Sequence, residues 1–472
     1  MKTVKDERWL WAFFMILTVF FGRFAAQGLA SDAAMYAGLA KSILVNGHPW
    51  APLGKVMFPV FFEHPPYTFQ WGAGVLSVLG TSDGAARAIG AIPGALALLI
   101  LFTWLWRRHS WPVAAWTLAL LLTFGHYTKY AATSMLEAPL SLGAILFAIG
   151  TFEFFFGLEL RWRWLVLAAL GAAISTAAKG VVGLLFCAAF TPYVLFAIKQ
   201  DAHWLRRKGL WFLVCGVAAM TPLLLWGVMS WDPAAGTSLL GRYIKEQVFR
   251  SYVTDRGRPE LYQDSWSWWA YPSVILRYGW PWWWTVPVGA YWIHKRPAFA
   301  EAFLRSWSKL ALIFFAVLIV AFSTSHVRLP HYLHPTYLLL APLGGYAAWE
   351  IVQRFVSLSA LMAQRLRWSV LALAVMGMLF AYRGTSATGD RGQRFAQLGA
   401  QINALPERCE VYVAEPESQL YRMESYFVWY LNRRGFHLVS PEEFDATRAA
   451  FREPRIWWNS QTGETLVHPD CR

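Results

Sequence analysis

The chain has 472 residues, of which 57% are hydrophobic, 17% aromatic and only 15% charged. Soluble domains use about one-half apolar and one-quarter charged residues, so this composition excludes an ordinary soluble globule and points to an α-helical multispan membrane protein. The formal net charge of +14 would suit a nucleic-acid binder, but Lys and Arg gather in short clusters between apolar runs, as the positive-inside rule requires, and leave no basic stripe over.

Apolar runs long enough to span a bilayer lie at about Trp9–Gln27, Arg87–Trp106, Trp111–Tyr127, Glu137–Phe156, Trp164–Ala178, Val181–Ala197, Leu210–Val228, Ala270–Ile293, Leu310–Ser323, Pro335–Ile351 and Ser369–Tyr382. They predict about eleven transmembrane helices. The first run is too long and too weakly flanked by small-residue cleavage signals for a removed signal peptide and is kept as a helix. With this alternation the clusters Lys2/Lys5/Arg8, Arg107/Arg108, Arg161/Arg163, Arg206/Arg207/Lys208, Lys295/Arg296 and Arg354/Arg365/Arg367 all fall on one side, the cytoplasm. The N-terminus is then cytoplasmic, and the expected location is a bacterial inner membrane or its equivalent. The stretch Pro66–Gly80 is too short to span and predicts an interfacial or re-entrant helix within a long first external loop, residues 28–86. A second external loop covers residues 229–269.

Beyond residue 383 the composition turns polar. Helices are expected at Arg394–Leu405 and Glu424–Asn432, strands at Glu410–Ala414, Phe436–Val439 and Arg455–Trp458, and a terminal turn and strand at Thr462–His468, a small α/β extracytoplasmic domain over 384–472. The domain reading is thus 1–383 in the membrane and 384–472 outside it. Cys187 and Cys215 sit in apolar runs and are expected as buried thiols, whereas Cys409 and Cys471 bracket the outer module and are expected to pair in an oxidising compartment.

Polar residues recur where outward-facing junctions have no structural need of them. Asp32 follows the first apolar run, and an acid at such depth is a functional candidate by default, although an acid also suits a helix start. Glu63-His64-Pro65 precedes the interfacial segment. Glu137 opens the fourth run and Lys179-Gly180 separates the fifth from the sixth. The ninth-to-tenth junction reads Ser325-His326-Val327-Arg328-Leu329-Pro330-His331-Tyr332-Leu333-His334-Pro335. Cations, carboxylates and phenols at one membrane face suit an anionic amphiphile such as a lipid phosphate. The His331-x-x-His334 spacing is by itself a weak metal signal, and one or two of the three histidines are expected to be ordinary loop residues. Lys179 also has a plainer reading as a snorkelling helix-end lysine, and Glu137 as a helix-dipole acid.

In this order the motifs resemble those of the polyprenyl-phosphate-sugar-dependent glycosyltransferases of the GT-C type, in particular the aminoarabinose transferase and protein O-mannosyltransferase branch. The resemblance covers roughly residues 10–348. Asp32 with Tyr36-Ala37 matches the family's Asp-Glu and Tyr-Ala, and Glu63-His64-Pro65 its Glu-Lys-Pro. Leu136-Glu137-Ala138-Pro139 matches a Leu-Asp-Pro-like motif, Ala178-Lys179-Gly180 its Thr-Lys-Gly, and Arg328-Leu329-Pro330-His331-Tyr332 its Lys-Leu-Pro-x-Tyr. Arg250 stands at the position of a functional arginine. Two departures matter: Ala33 replaces the family's second acid, and His64 replaces a lysine, which makes a phosphate contact there weaker and pH-dependent.

The resemblance implies GT-C architecture and an inverting glycosyl transfer from a polyprenyl phosphate donor to a lipid, glycolipid or protein acceptor. Such a donor brings its own leaving group, so the enzyme must stabilise a departing phosphate and deprotonate an acceptor hydroxyl. Asp32 is then the expected base, with Glu137 the second catalytic carboxylate. Lys179, Arg250, Arg328, Tyr332, His64 and Tyr36 are the donor-binding set. No organic cofactor is implied, and Glu63 with His64 is a candidate divalent-metal pair. Protein O-mannosyl transfer is the alternative within the class. A secondary transporter is the alternative outside it, but the paired broken helices and internal repeats of such folds are not evident.

Overall fold

The computed structural model describes residues 16, 28–52, 60–157, 161–198, 202–249, 270–279, 284–295, 300–325, 329–356, 390–405, 409–414, 429–430, 436–439, 455–459 and 465–471. The expected spans Trp9–Gln27 (Ile16 apart) and Ser369–Tyr382 lie outside these residues, as do Arg250, Arg328 and most of the expected helix Glu424–Asn432. The chain divides into two compact units, one of residues 1–23, 62–68 and 90–385, the other of residues 24–61, 69–89 and 386–472.

Helices appear in the order α1 (Ser31–Asn46), α2 (Tyr67–Leu79), α3 (Asp83–Arg108), α4 (Trp111–Thr123), α5 (Gly125–Ala131), α6 (Glu137–Phe156), α7 (Arg161–Lys179), α8 (Val181–Ala188) and α9 (Ala202–Met229). A short hairpin, β1 (Trp231–Asp232) and β2 (Thr237–Ser238), leads to α10 (Leu239–Arg242) and a π-helical stretch, Tyr243–Phe249. Then come α11 (Ala270–Gly279), α12 (Thr285–Lys295), α13 (Ala300–Ser323), a 3₁₀ turn at Pro330–Leu333, α14 (His334–Val356) and α15 (Asp390–Asn403). Among the described residues, four helices are long and apolar enough to cross a membrane: Asp83–Arg108, Glu137–Phe156, His203–Met229 and Ala302–Ser323.

The first unit is built around α6, whose side chains are almost all buried. It packs on α7 through small residues rather than interlocking large ones. A Cβ at Gly143 would stand 2.6 Å from the Ser175 amide nitrogen, and Gly150 and Gly171 meet the facing helix backbone as closely. Lipid offers no hydrophobic drive to bring helices together, so such close backbone approach supplies the dispersion contact that holds them. Tryptophan N–H groups add directed bonds across the bundle: Trp211 to Thr151 at 3.0 Å, and Trp307 to the Leu339 carbonyl at 3.0 Å. At the far end of α6, Glu153 is buried and accepts from Trp104 Nε1 at 2.8 Å, with Arg108 Nε at 2.7 Å. In contrast, α9 turns Leu213, Val217, Leu224 and Val228 outward, an apolar face of the kind lipid covers.

Three expected spans are not single helices. Val181–Ala197 breaks after Ala188, and helix resumes through Pro192 into a π-helical stretch at Tyr193–Ala197. Pro192 has no N–H to donate to the turn before it, so the α-helical ladder cannot run through. Trp111–Tyr127 divides at Phe124 into α4 and α5, and of Ala270–Ile293 the described residues form α11 and α12.

In the second unit, α1 starts after Ala30, which offers no side-chain cap, and Asp32 lies in its first turn, where a negative charge meets the positive end of the helix dipole. The helix closes at Gly47, whose N–H reaches the Ile43 carbonyl. A four-stranded sheet has the order β4 (Phe436–Val439), β3 (Glu410–Ala414), β5 (Arg455–Asn459), β6 (Thr465–Val467). β3 runs parallel to β4 and β5, and β6 is antiparallel to β5, with Val411 opposite Ile456 and Trp458 opposite Thr465. Phe395, Leu398 and Ile402 form the buried face of α15, with Phe395 edge-on to Trp458 at 5.3 Å. Cys409 and Cys471 are disulfide-bonded across 62 residues, and Cys187 and Cys215 are free and buried.

A bridge closing so long a loop removes conformational freedom from the unfolded chain, about 2–4 kcal/mol by chain-entropy reasoning. Replacing both Cys409 and Cys471 by Ser is expected to lower the melting temperature of the purified protein and to abolish its sensitivity to reductant. An unchanged melting temperature would contradict this.

Candidate active site

The candidate site in the first unit forms where α6 begins and α7 ends. Lys179, the last residue of α7, donates from Nζ to Oε1 of Glu137, the first residue of α6, and the two side chains are 4% and 1% exposed. Each charge suits its place, the carboxylate at a helix N-terminus and the ammonium at a C-terminus. The chain stops α7 at this point because Gly180 takes φ 56° and ψ −126°, a conformation L side chains rarely adopt, and α8 restarts at once. A Cβ at Gly180 would lie 2.6 Å from the Tyr243 hydroxyl, which accepts a hydrogen bond from the Val181 amide at 3.0 Å. Tyr243 therefore fixes the corner that aims Lys179.

The turn Pro330–Leu333 supplies the opposite wall. Tyr332 lies under Lys179, with Nζ 4.7 Å from the ring centroid, a cation–π contact strengthened by burial. His331 Nε2 stands 3.5 Å from the same Glu137 oxygen that Lys179 holds. The other carboxylate oxygen, Oε2, is buried with no hydrogen-bond partner among the described residues, so an acceptor position remains open. His334 is structural. Its Nε2 donates to the Tyr127 carbonyl at 2.9 Å, its Nδ1 accepts from the Ser141 hydroxyl at 2.8 Å, and its ring stacks on Tyr127. A carbonyl can only accept, so the ring carries a proton on Nε2.

The sequence-derived residues thus separate. Glu137, Lys179 and Tyr332 come together. Glu63 and His64 also lie in the first unit, where Glu63 Oε1 accepts from Gln247 Nε2 at 2.8 Å. Among the described residues no group of three or more His, Cys, Asp or Glu gathers in a way that could hold a metal. Asp32 and Tyr36 belong to the second unit, Asp32 exposed in the first turn of α1 and Tyr36 with its ring 5.7 Å from Phe69. Arg250 and Arg328 lie outside the described residues. His331 stood in the sequence only as the variable position of a motif and as half of a weak His-x-x-His metal spacing. Tyr243 carried no signal, since nothing in its neighbourhood marks a tyrosine that will brace a glycine more than sixty residues earlier.

Burial holds the His331 imidazole down to about 4, against the Glu137 charge, which pulls the other way. A lowered histidine pKa means that the unfolded chain takes the proton first. Stability is therefore full above about pH 6.5 and falls as the pH drops towards 4, by about 2 kcal/mol at pH 5 for this group. His331→Gln, which cannot titrate, is expected to flatten that part of a melting-temperature profile. Parallel profiles for the two proteins would contradict it.

No family model matches the chain. It is 26% identical over 345 residues to the undecaprenyl phosphate-alpha-4-amino-4-deoxy-L-arabinose arabinosyl transferase 2 of Pseudomonas fluorescens, an alignment spanning 70% of this chain and 55%, about half, of that relative. Its fold matches the crystal structure of ArnT from Cupriavidus metallidurans bound to undecaprenyl phosphate, with a TM-score of 0.73 and 18% identity over 97% of this chain and 94% of that one. The apo state of the same protein matches with a TM-score of 0.67 and 16% identity over 96% and 93%. The chain is thus similar in sequence to an aminoarabinose transferase and shares the fold of ArnT.

Proposed function

We propose that the protein is an integral-membrane inverting glycosyltransferase that moves a sugar from a polyprenyl phosphate to a lipid or glycolipid acceptor on the extracytoplasmic face. The observation that carries this reading is the buried ammonium of Lys179, set on the Tyr332 ring beside a carboxylate and a neutral histidine. A cation kept in so dry a place gains far more from an arriving phosphate than an exposed one would. The likeness to a structure holding undecaprenyl phosphate supports the same donor class. The reading includes about eleven spans, a cytoplasmic N-terminus, an inner-membrane location and an extracytoplasmic α/β domain over 384–472.

In this mechanism the acceptor hydroxyl oxygen attacks the anomeric carbon from the face opposite the phosphate. The bond from that carbon to the phosphate oxygen breaks with inversion, and the bonding pair leaves on the polyprenyl phosphate. Asp32 takes the hydroxyl proton as general base. Lys179, with Arg250, Arg328, Tyr332, His64 and Tyr36, stabilises the charge that develops on the leaving group. Glu137 acts on the reaction through Lys179, holding its charge in place between turnovers, while its open oxygen remains free for a substrate hydroxyl.

The test is incubation of the purified protein with a panel of glycosyl polyprenyl phosphates and a lipid acceptor, reading release of free polyprenyl phosphate. Asp32→Asn keeps the shape and removes the basicity, so turnover should fall at least about a hundredfold with donor affinity nearly unchanged. Wild-type turnover in that variant would eliminate Asp32 as the base. Absence of release from every donor by the wild-type protein would count against the reaction class.

A further inference from the structure

Asp32 sits in the first turn of α1. In the reading above its carboxylate must meet an acceptor hydroxyl at hydrogen-bond distance, which requires the chain leading into α1 to be held. That chain is gripped within the second unit by residues far from it in sequence. Gly28, at φ 82°, donates its N–H to Asp83 Oδ2 at 2.6 Å, and its carbonyl accepts from the Arg87 guanidinium. Leu29 donates its N–H to the Tyr430 hydroxyl at 2.9 Å, and that hydroxyl donates onward to Asp83 Oδ2 at 3.3 Å. Asp83 Oδ1 accepts from Trp429 Nε1 at 2.9 Å. From the opposite side Lys41, on α1 itself, donates to the Trp429 carbonyl at 2.8 Å, and Asn403 Nδ2 holds the Tyr430 carbonyl at 2.9 Å.

One carboxylate therefore binds the peptide before α1 and the indole and phenol of a dipeptide from the C-terminal part of the chain. Arg87, Trp429 and Lys41 are all buried, so these bonds are little weakened by competing water. Burial and the Asp83 charge both raise the Tyr430 phenol, which keeps its proton and remains able to accept from Leu29 while donating to Asp83.

We infer that Tyr430, with Asp83 and Trp429, positions the Asp32 base, so that the C-terminal segment takes part in catalysis without touching substrate. Tyr430 and Asp83 are positioning residues: they set where α1 begins, and α1 carries Asp32 one residue inside that start. The inference rests on the proposed role of Asp32.

The test uses the full-length protein and Tyr430→Phe, which removes one hydroxyl and leaves the ring. Hydrogen exchange of residues 28–36 should quicken at least about tenfold while the bundle helices keep wild-type protection. Turnover should fall at least about tenfold with the dissociation constant for undecaprenyl phosphate unchanged. In an Asp32→Asn background Tyr430→Phe should add no further loss, because a residue acting through Asp32 has nothing left to position. Unchanged exchange would overturn the anchoring. Quickened exchange with wild-type turnover, or a full additive loss in the Asp32→Asn background, would overturn the positioning role. Full activity of Asp32→Asn alone would bring down the base assignment instead, and the exchange result would still report the anchor independently.

Discussion

The ion pair between Lys179 and Glu137 is the constraint that organises the first unit. Burying one such charge alone costs several kcal/mol, and leaving one without its partner typically costs about 3–5 kcal/mol. The fold therefore has to deliver both to the same point within hydrogen-bond reach. It does so with two helix ends. α6 begins at Glu137 and α7 stops at Lys179, and the stop depends on a glycine whose backbone geometry and lack of a side chain admit the Tyr243 hydroxyl. The glycine seam between α6 and α7 then keeps the two helices in the register that brings their ends together. In the proposed reading an arriving phosphate takes up the ammonium, while His331, which faces the same carboxylate oxygen, remains as its neighbour.

The second unit solves a different problem. Its sheet is small and needs reinforcement, which the Cys409–Cys471 bridge and the α15 face provide. Residues 24–61 and 69–89, α1 with Asp32 among them, share that unit with the C-terminal segment. Local rigidity around α1 comes from polar groups whose partners are distant in sequence, bonded to a single carboxylate at the start of α3.

What the sequence disclosed follows the range of the forces involved. α6 was legible to the residue, since a long apolar run bounded by an acid and a glycine has one physical reading, and β3 and β4 were legible from short β-branched and aromatic runs. The disulfide was legible from compartment and position. Lys179 and Glu137 stood out as charges where charge is expensive, but nothing local says they bond to each other across 42 residues. The break in Val181–Ala197 was signalled by Pro192, yet hydropathy outweighed it in a reading by runs. Tyr243, His331 as a neighbour of Glu137, and the Tyr430–Asp83 anchor were illegible, because each is a contact between elements with no periodicity to betray it. The polar junctions came through as a set. Their assembly into sites did not.

The central claim is that Lys179 is the anion anchor and Glu137 its resident partner, and equilibrium binding of undecaprenyl phosphate to the purified protein tests it most directly. The account predicts opposite signs: Lys179→Ala weakens binding at least about tenfold, and Glu137→Gln, which removes the competing and repelling charge, tightens it. Unchanged affinity in Lys179→Ala, or weakening of similar size in both variants, would contradict it.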